Sequence, residues 1–560
     1  MASLTPSDSW DNVYQIETTD PVQGGASGVT NTPHQNNTNR TERIKETLNL
    51  VGIDVENKLI NKNRIEYVDS LAELQALTGM GEDDVIYISG RTSVNDGGQG
   101  KFVWLVGNFT TQVTSDTRSG VYAPSDADPT GADGCWVRQL DRYDIRYWGA
   151  KPDFSYITYT GTDNSSAIQA AINCINLTGE NRVLYIPSGS FMINTSLDLS
   201  STLVSLKGES SAFTDSVIVG NTGDDFALDF TKSESRWLSV EDISVRSFAG
   251  QTNPTKNGVL FARTVAANLV GENFYKNFRV RLLSDTSANN GFGTIAVASI
   301  GAESNTFIGI YFSADVPLFS SSVNLITEFV AGSESTIHTI ESLYQTITTD
   351  SSSNTENYIN GSLVSTSGVR PALQVRNGAV WTCDLFISRL TTPTETTTTS
   401  IPAVLFGNCV SMSLRADVEG YKSVIGLYGF NRDHTIDIYR SYTSGYPLII
   451  SELSITGTIN TLHNSTVNIS PTYGTRTVDA EFIYNPNIIQ ITGCDIKLHC
   501  PLDITSEVNS RITGTTIYNN SNNIITTNAP TSGAISSSYI EITDGAVKKV
   551  GIAGSARYSL

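Results

Sequence analysis

Three segments between residues 143 and 198 decide the fold: Tyr147-Trp148-Gly149-Ala150-Lys151-Pro152-Asp153, then Thr162-Asp163-Asn164-Ser165-Ser166-Ala167-Ile168-Gln169-Ala170-Ala171-Ile172-Asn173, then Val183-Leu184-Tyr185-Ile186-Pro187-Ser188-Gly189-Ser190. The first reads as a strand entering a turn. In the second, Asp163 or Asn164 can cap a helix near 163–175, and Ile168, Ala171, Ile172 and Ile175 line one of its faces. The third is a strand, followed by Phe191-Met192-Ile193-Asn194. Such a helix cannot hide its apolar face alone. It needs a hydrophobic end to cover, and the open first layer of a stack of strands is one.

Outward from that window, short strands recur from about 200 to 440. Examples are Leu203-Val204-Ser205-Leu206, Ile243-Ser244-Val245, Phe278-Arg279-Val280-Arg281, Asn408-Cys409-Val410-Ser411 and Thr435-Ile436-Asp437-Ile438, separated by Gly, Asn, Asp and Ser turns. Returns of roughly 20 to 30 residues fit a solenoid. A pair of β-sandwiches is the rival architecture. Residues 391–400, Thr-Thr-Pro-Thr-Glu-Thr-Thr-Thr-Thr-Ser, read as a loop leaving the wall. Residues 441–560 keep the β pattern with fewer bulky side chains, which suggests support from partner chains. Upstream, 65–142 reads as a small β-rich module. It has a Ser70-capped helix, a strand at Val85–Ile88, a turn at Asp96–Gly100, and strands at Lys101–Leu105 and Gly134–Arg138. Within 1–64, Ile44, Leu48 and Val51 follow at helical spacing, a short amphipathic helix that packing against copies of itself could stabilise.

Composition narrows the function. The chain has 560 residues, a net charge of -20 and only 16% charged residues, with no block of Lys or Arg. Nucleic-acid binding needs a basic surface and is excluded as an expectation. The six Cys show no C-x-x-C spacing and read as reduced core residues. No basic-then-apolar leader and no run of about 18 apolar residues is visible, so neither a signal peptide nor membrane insertion is expected. A surface-acting protein without a leader can leave the cell by lysis, inside a virion.

The window at 143–198 resembles a known family. Trp148-Gly149-Ala150-Lys151-Pro152-Asp153, Asp163-Asn164-Ser165-Ser166-Ala167-Ile168-Gln169-Ala170-Ala171-Ile172 and Ile186-Pro187-Ser188-Gly189 look like the opening motif of pectate-lyase-like β-helices in phage tailspikes. The usual form has Phe-Gly-Ala and Asp-Gly; here Trp148 replaces the Phe and Phe154 follows Asp153. Gly97-Gly98-Gln99-Gly100-Lys101-Phe102-Val103-Trp104 and Cys135-Trp136-Val137-Arg138 are similar to the neck module of tailspike depolymerases. Gly24-Gly25 to Asn39-Arg40-Thr41 looks like a virion-anchoring segment of tail fibres. The resemblance implies an all-β, right-handed parallel β-helix over 143–440 in an elongated homotrimer. A virion-attachment segment at 1–64 and a neck at 65–142 would precede it, and a trimer-stabilising or glycan-binding region at 441–560 would come after it. It further implies a protein made in the bacterial cytoplasm, carried on the phage tail and acting at the host surface. There it would bind and depolymerise a capsule, exopolysaccharide or O-antigen; a non-catalytic adhesin is the alternative. Its partners would be that polysaccharide, two further copies of itself, and a tail or baseplate protein held through the N-terminus.

Glycoside hydrolysis needs two carboxyls, about 5–5.5 Å apart for retention or about 6.5–9.5 Å for inversion. A lyase needs a base and cations beside a uronate carboxyl. In Ser413-Leu414-Arg415-Ala416-Asp417-Val418-Glu419-Gly420, the apolar residues alternate inward and leave Arg415, Asp417 and Glu419 on the outer face. Asp417 and Glu419 are the candidate catalytic carboxylates and Arg415 the substrate clamp; a solvated strand face is the plain alternative. Glu303 is a further catalytic candidate, and Tyr421, Tyr428 and Phe430 are candidate stacking rings. Glu334, His338 and Glu341 share a face only if helical. Asp433, His434 and Asp437 lie near a corner, and adjacent Glu241 and Asp242 cannot act as a pair on a strand. No cofactor and no metal site is indicated, since no diagnostic spacing is present.

Overall fold

The computed structural model of the chain describes residues 40–49 and, with short breaks, residues 66–554; its longer breaks are 50–65, 283–294, 322–353, 390–401, 451–459 and 470–482. Residues 40–49 form helix α1, on which Ile44 and Leu48 are exposed.

Strands Glu66–Val68, Val85–Ile88, Gly100–Val106, Gly134–Arg138 and Tyr122–Ala123 form a five-stranded sheet in that spatial order. Helix α2 (Leu71–Gln75) begins where the Ser70 hydroxyl accepts the Glu73 N–H. Trp104 and Trp136 meet edge-on at 5.4 Å in the core. The Gly97–Gly100 turn wraps a buried cation. Arg138 donates to the carbonyls of Gly98 (3.0 Å), Gln99 (3.1 Å) and Gly120 (2.7 Å) and lies over the rings of Phe102 and Tyr147. Burial pulls its pKa down to about 10. A Cβ at Gly100 would meet the Arg138 guanidinium at 2.4 Å, so the glycine there is steric.

Polar contacts that periodicity does not reveal fasten this module to the coil. Buried Asp116 accepts the backbone N–H groups of Gly120, Val121 and Tyr122 and the Trp148 indole N–H at 2.7 Å. The Arg118 Nε donates to the Trp148 carbonyl and Arg91 to the Tyr147 carbonyl. Where Tyr147–Asp153 reads as a strand entering a turn, the chain forms a 3-10 turn, Ile145–Trp148, which the Asp144 carboxylate caps and left-handed Gly149 ends. It swings the Trp148 indole inward to Asp116.

Past helix α3 (Thr110–Ser115) comes α4 (Ser165–Thr178), the expected capping helix. Its two candidate caps divide the work. Asp163 accepts the Ser165 N–H at 2.9 Å. Asn164 turns away and clamps the preceding loop, accepting from Lys151 N–H and donating to the Lys151, Thr162 and Met192 carbonyls. Ile168, Ala171, Ile172 and Ile175 are buried in the cluster that continues along the coil.

From Val183 onward the chain winds as a parallel β-helix. Val183–Ile186, Ser190–Ile193 and Leu197–Asp198 make one rung; Ser205–Gly208, Val217–Gly220 and Phe226–Thr231 stack on them in register. The columns belong to a 23-stranded and a nine-stranded sheet, and their pairings from here up to the last strand are parallel. The parallel ladder does not stop at 440: Thr466–Ile469, Asp495–Leu498 and Thr516–Asn519 continue it, and Ile535–Asp544 turns back as a hairpin with Val547–Gly554. No helix of the described residues is long and apolar enough to cross a membrane.

A recurring corner holds the rungs together. A left-handed residue is followed by a buried one: Glu272 then Asn273, Ser304 then Asn305, Glu356 then Asn357, Val380 then Trp381, Ser411 then Met412, Asp433 then His434, Asn464 then Ser465. The buried residues bond rung to rung. Asn273 accepts the Leu238 N–H at 3.0 Å, Asn357 the Asn305 N–H at 3.1 Å, and His434 Nδ1 the Met412 N–H at 3.2 Å. Cys383 and Cys409 are buried fillers whose thiols burial pushes up to about 12.

Candidate functional site

Strand Ser413–Glu419 carries the expected carboxylates. Leu414, Ala416 and Val418 belong to the core, so alternation turns Arg415, Asp417 and Glu419 to the outer wall. Alternate residues on a strand lie about 6.6 Å apart, near the lower edge of the inverting range. The two carboxylates sit in unlike surroundings. Asp417 is 2% exposed, whereas Glu419 is open to solvent on one side.

The register places Asp417 between two neighbouring rungs. Asp417 lies opposite Phe386 on one side and Arg440 on the other. Strand Thr435–Tyr442 carries one extra residue after Ile438, so the pairing shifts between Ala416 and Asp417, and position 440 instead of 439 stands opposite Asp417 in the ladder. Such bulges commonly re-aim side chains beside active sites. The displaced residue, Tyr439, is 45% exposed, and the Arg415 guanidinium lies 5.1 Å from its ring centre. Arg415 itself stands between Asp384 and Asp437 on the neighbouring rungs, and Asp437 accepts a 2.8 Å bond from Asn468. Asp384, Asp437 and Tyr439 were absent from the expected site. Their signal was there, since each lies in an alternating strand, but nothing in sequence distance aligns strands of neighbouring rungs.

Other candidates fall elsewhere. Glu303 lies in the short strand Ala302–Glu303, paired with Val270–Gly271 on a different face of the coil. Its rung is three below that of Asp417, about 14 Å along the axis, so the two do not form a dyad. Tyr421, expected as a stacking ring, is 1% exposed and part of the core; Phe430 is the exposed ring. The side chain of Tyr428 lies outside the described residues, as do Glu334, His338 and Glu341. His434 is a corner residue. Its Nδ1 accepts from Met412, its Nε2 faces Asn431 at 3.3 Å, and burial lowers its pKa to about 4, against a smaller opposing pull from Asp433. Asp242 occupies a left-handed corner and accepts from Asn277, while Glu241 lies 3.8 Å from Lys207. Among the described residues no group of three His, Cys, Asp or Glu gathers as a metal would require.

Two outer columns run along this wall. One reads Ser190, Val217, Ser244, Arg279, Tyr311, Ser362, Phe386, Asp417; the other Met192, Val219, Arg246, Arg281, Ser313, Val364 and, flanking Asp417, Ser388 and Glu419. Towards the cap these columns carry Arg246, Arg279 and Arg281; further along they carry Asp417 and Glu419, with Arg415 on the same strand.

The fold is a parallel β-helix. The family description for rhamnogalacturonase A/epimerase, pectate lyase-like, matches residues 144–270, the start of the coil. A search of curated proteins finds no match. Solved structures of similar form include a tailspike of an Acinetobacter phage, at 10% identity and TM-score 0.44, covering 89% of this chain and 78% of that one. A full-length tailspike protein of an Escherichia coli bacteriophage matches at 11% identity and TM-score 0.40, over 87% of this chain and 53% of the other. A glycan biofilm modifying enzyme of Pantoea stewartii matches at 13% and 0.32, over 89% and 54%. The chain spans about half the length of the last two.

Proposed function

We propose that the protein is a tailspike that binds a bacterial surface polysaccharide and cuts it at the Asp417–Glu419 wall. The observation that carries this is the pair itself: two carboxylates on alternate positions of one continuous outer strand, one shielded and one wet, with Arg415 on the same face. In hydrolysis one carboxyl protonates the departing glycosidic oxygen while the other takes a proton from the attacking water. The bond to the leaving sugar breaks as the water oxygen bonds the anomeric carbon. Arg415, beside the exposed Tyr439 ring, offers a donor and a stacking face to a neighbouring sugar. A long wall of stacked rungs suits a polymer better than a small molecule.

The rest of the assembly belongs to the same reading. Exposed Ile44 and Leu48 on α1 suit contact with two further copies, and the segment before it would hold the tail. Virion placement at the host surface belongs to this proposal too.

The test is digestion of capsular polysaccharides from a strain panel, following polymer size and the ultraviolet absorbance of unsaturated uronate. Shortened polymer without new absorbance is expected. Asp417→Asn and Glu419→Gln should each slow cleavage about 10²- to 10⁴-fold. New absorbance would move the chemistry to β-elimination. Binding without shortening would make the protein an adhesin.

A further inference from the structure

The same wall carries a second feature, four rungs nearer the cap and about 19 Å from Asp417. Arg279 and Arg281 occupy alternate outer positions of one strand, and Arg246 lies directly beside Arg281 on the rung before. All three are half-buried. Their inward neighbours Val245, Val280 and Leu282 belong to the core, which fixes the strands that carry them. Bringing three guanidinium groups together in a chain of net charge -20 concentrates positive potential at one spot. Burial lowers the pKa of Arg246; the Tyr156 hydroxyl opposes this, and Arg281 adds a smaller lowering.

An aromatic shelf adjoins the cluster. The loop before the capping helix folds over outward-facing Met192, Val217 and Val219 and lays Phe154, Tyr156 and Tyr159 against Phe248. The Arg246 guanidinium lies 5.1 Å from the Phe248 ring centre, and the Tyr156 hydroxyl bonds Ser190. Tyr156 keeps 40% of its surface exposed. Cations beside a half-exposed ring offer a carboxylate-bearing sugar both things it needs: charged donors for the acid and a flat apolar face for the ring.

We infer that Arg246, Arg279 and Arg281, with the Tyr156–Phe248 shelf, form a subsite for an acidic sugar, so that the polymer this wall takes is anionic. The inference rests on the proposed function only in sharing its wall: a polymer lying along the two columns reaches Asp417 and Glu419 from this subsite, whereas a single sugar cannot touch both.

The experiment measures binding of the full chain to polygalacturonate, alginate and hyaluronate, each against its carboxyl-reduced neutral form. The wild-type protein is expected to prefer at least one acidic polymer about ten- to a hundredfold, and to lose that preference as salt rises. Arg279→Gln/Arg281→Gln should abolish the preference, while Arg279→Lys/Arg281→Lys, which keeps the charge, should retain part of it. Circular dichroism and thermal midpoints certify that both variants fold. Equal binding of acidic and neutral forms by the wild type, including none of either, overturns the inference. So does an undiminished preference in the folded Gln variant. Asp417→Asn separates the two readings, because it should bind with full preference and not cut. Preference without any cleavage by the wild type would sink the depolymerase and leave the subsite; cleavage without preference would do the reverse.

Discussion

The rungs between Val183 and Ala314 and those between Tyr358 and Tyr442 wind the same coil by different means. In the early rungs left-handed Asp242 and Asn277 each divide the outer wall into two short strands, and left-handed Gly309 shifts the register inside Thr306–Ala314. In the later ones Thr382–Arg389 and Ser413–Glu419 run straight through. The early interior is aromatic: Tyr275 stacks on Phe307 at 4.4 Å and meets Phe261 at 4.8 Å, while Phe278 and Phe312 cross edge-on at 6.0 Å. The later interior keeps Trp381, Phe406 and Tyr421, but beneath the outer wall it is aliphatic: Leu363, Leu385, Leu414, Ala416 and Ile438. Straightening has a consequence for chemistry. A bent strand splits its outward side chains between two faces, whereas a straight one sets Arg415, Asp417 and Glu419 on one. The difference teaches that a solenoid can vary its core and corners rung by rung while its register keeps the outer columns continuous.

The largest expected effect tests the two interiors. Phe307→Ala would remove a ring that touches Tyr275, Phe261 and Phe312 at once and should cost about 3–5 kcal/mol. Leu414→Ala, in the aliphatic stretch, should cost about 2–5 kcal/mol by the same cavity argument. The comparison sharpens in a double variant of neighbours. Phe307→Ala with Tyr275→Ala should fall short of the sum of the singles in urea unfolding, because each ring's loss already exposes the other. Strict additivity would mean that the stack is only area.

The corner ladder differs too, and here the contrast is one of titration. Early corners bury Asn273, Asn305 and Asn357, which do not ionise; a later one buries His434. Its folded pKa of about 4 lies below the unfolded value near 6.5, so the neutral ring is the stable form inside. That stability is complete above pH 6.5 and is lost as pH falls through 6.5 towards 4, by about 3 kcal/mol in all. Amide exchange of Ser413–Glu419 and Thr435–Tyr442 should therefore quicken between pH 7 and 4.5 relative to Arg279–Leu282, after correction for intrinsic rates. His434→Asn should remove the difference. Equal acid sensitivity of both regions in the wild type would break the contrast.

These corners also mark how far the sequence could be read. The cap was legible because Asp163 to Ile175 is local: a capped helix and its apolar face lie within a few turns of chain. The outer placement of Asp417 and Glu419 was legible for the same reason, since alternation needs only one strand. The joints between rungs were not. Asn305 meets Asn357 across 52 residues, yet Met412 meets His434 across 22. No fixed period links such pairs, so Glu272-Asn273, Glu356-Asn357 and Asp433-His434 did not stand out as one device. Burial of Tyr421 was hidden likewise, because a ring after a strand fills the core or faces water according to the next rung. Asp116 and Arg118 fastening Trp148, and Arg91 holding the Tyr147 carbonyl, escaped for want of any local pattern.

The smallest expected effect isolates one corner. Position 380 is left-handed, with φ of 57°, and carries Val, whose branched Cβ crowds the backbone there more than an unbranched polar residue would. The equivalent early corners use Glu272, Ser304 and Glu356, and a later one Asn464. Val380 is 55% exposed, so its side chain contributes little to the core. Its N–H bonds the Val410 carbonyl at 3.0 Å, a contact that any residue but proline keeps. Val380→Asn should therefore relieve backbone strain without losing packing, stabilising the fold by about 1 kcal/mol. A rise in the urea midpoint at unchanged slope would register it. A fall would mean that Val380 is covered by another chain in the assembled protein, and the same substitution would then weaken association at low protein concentration.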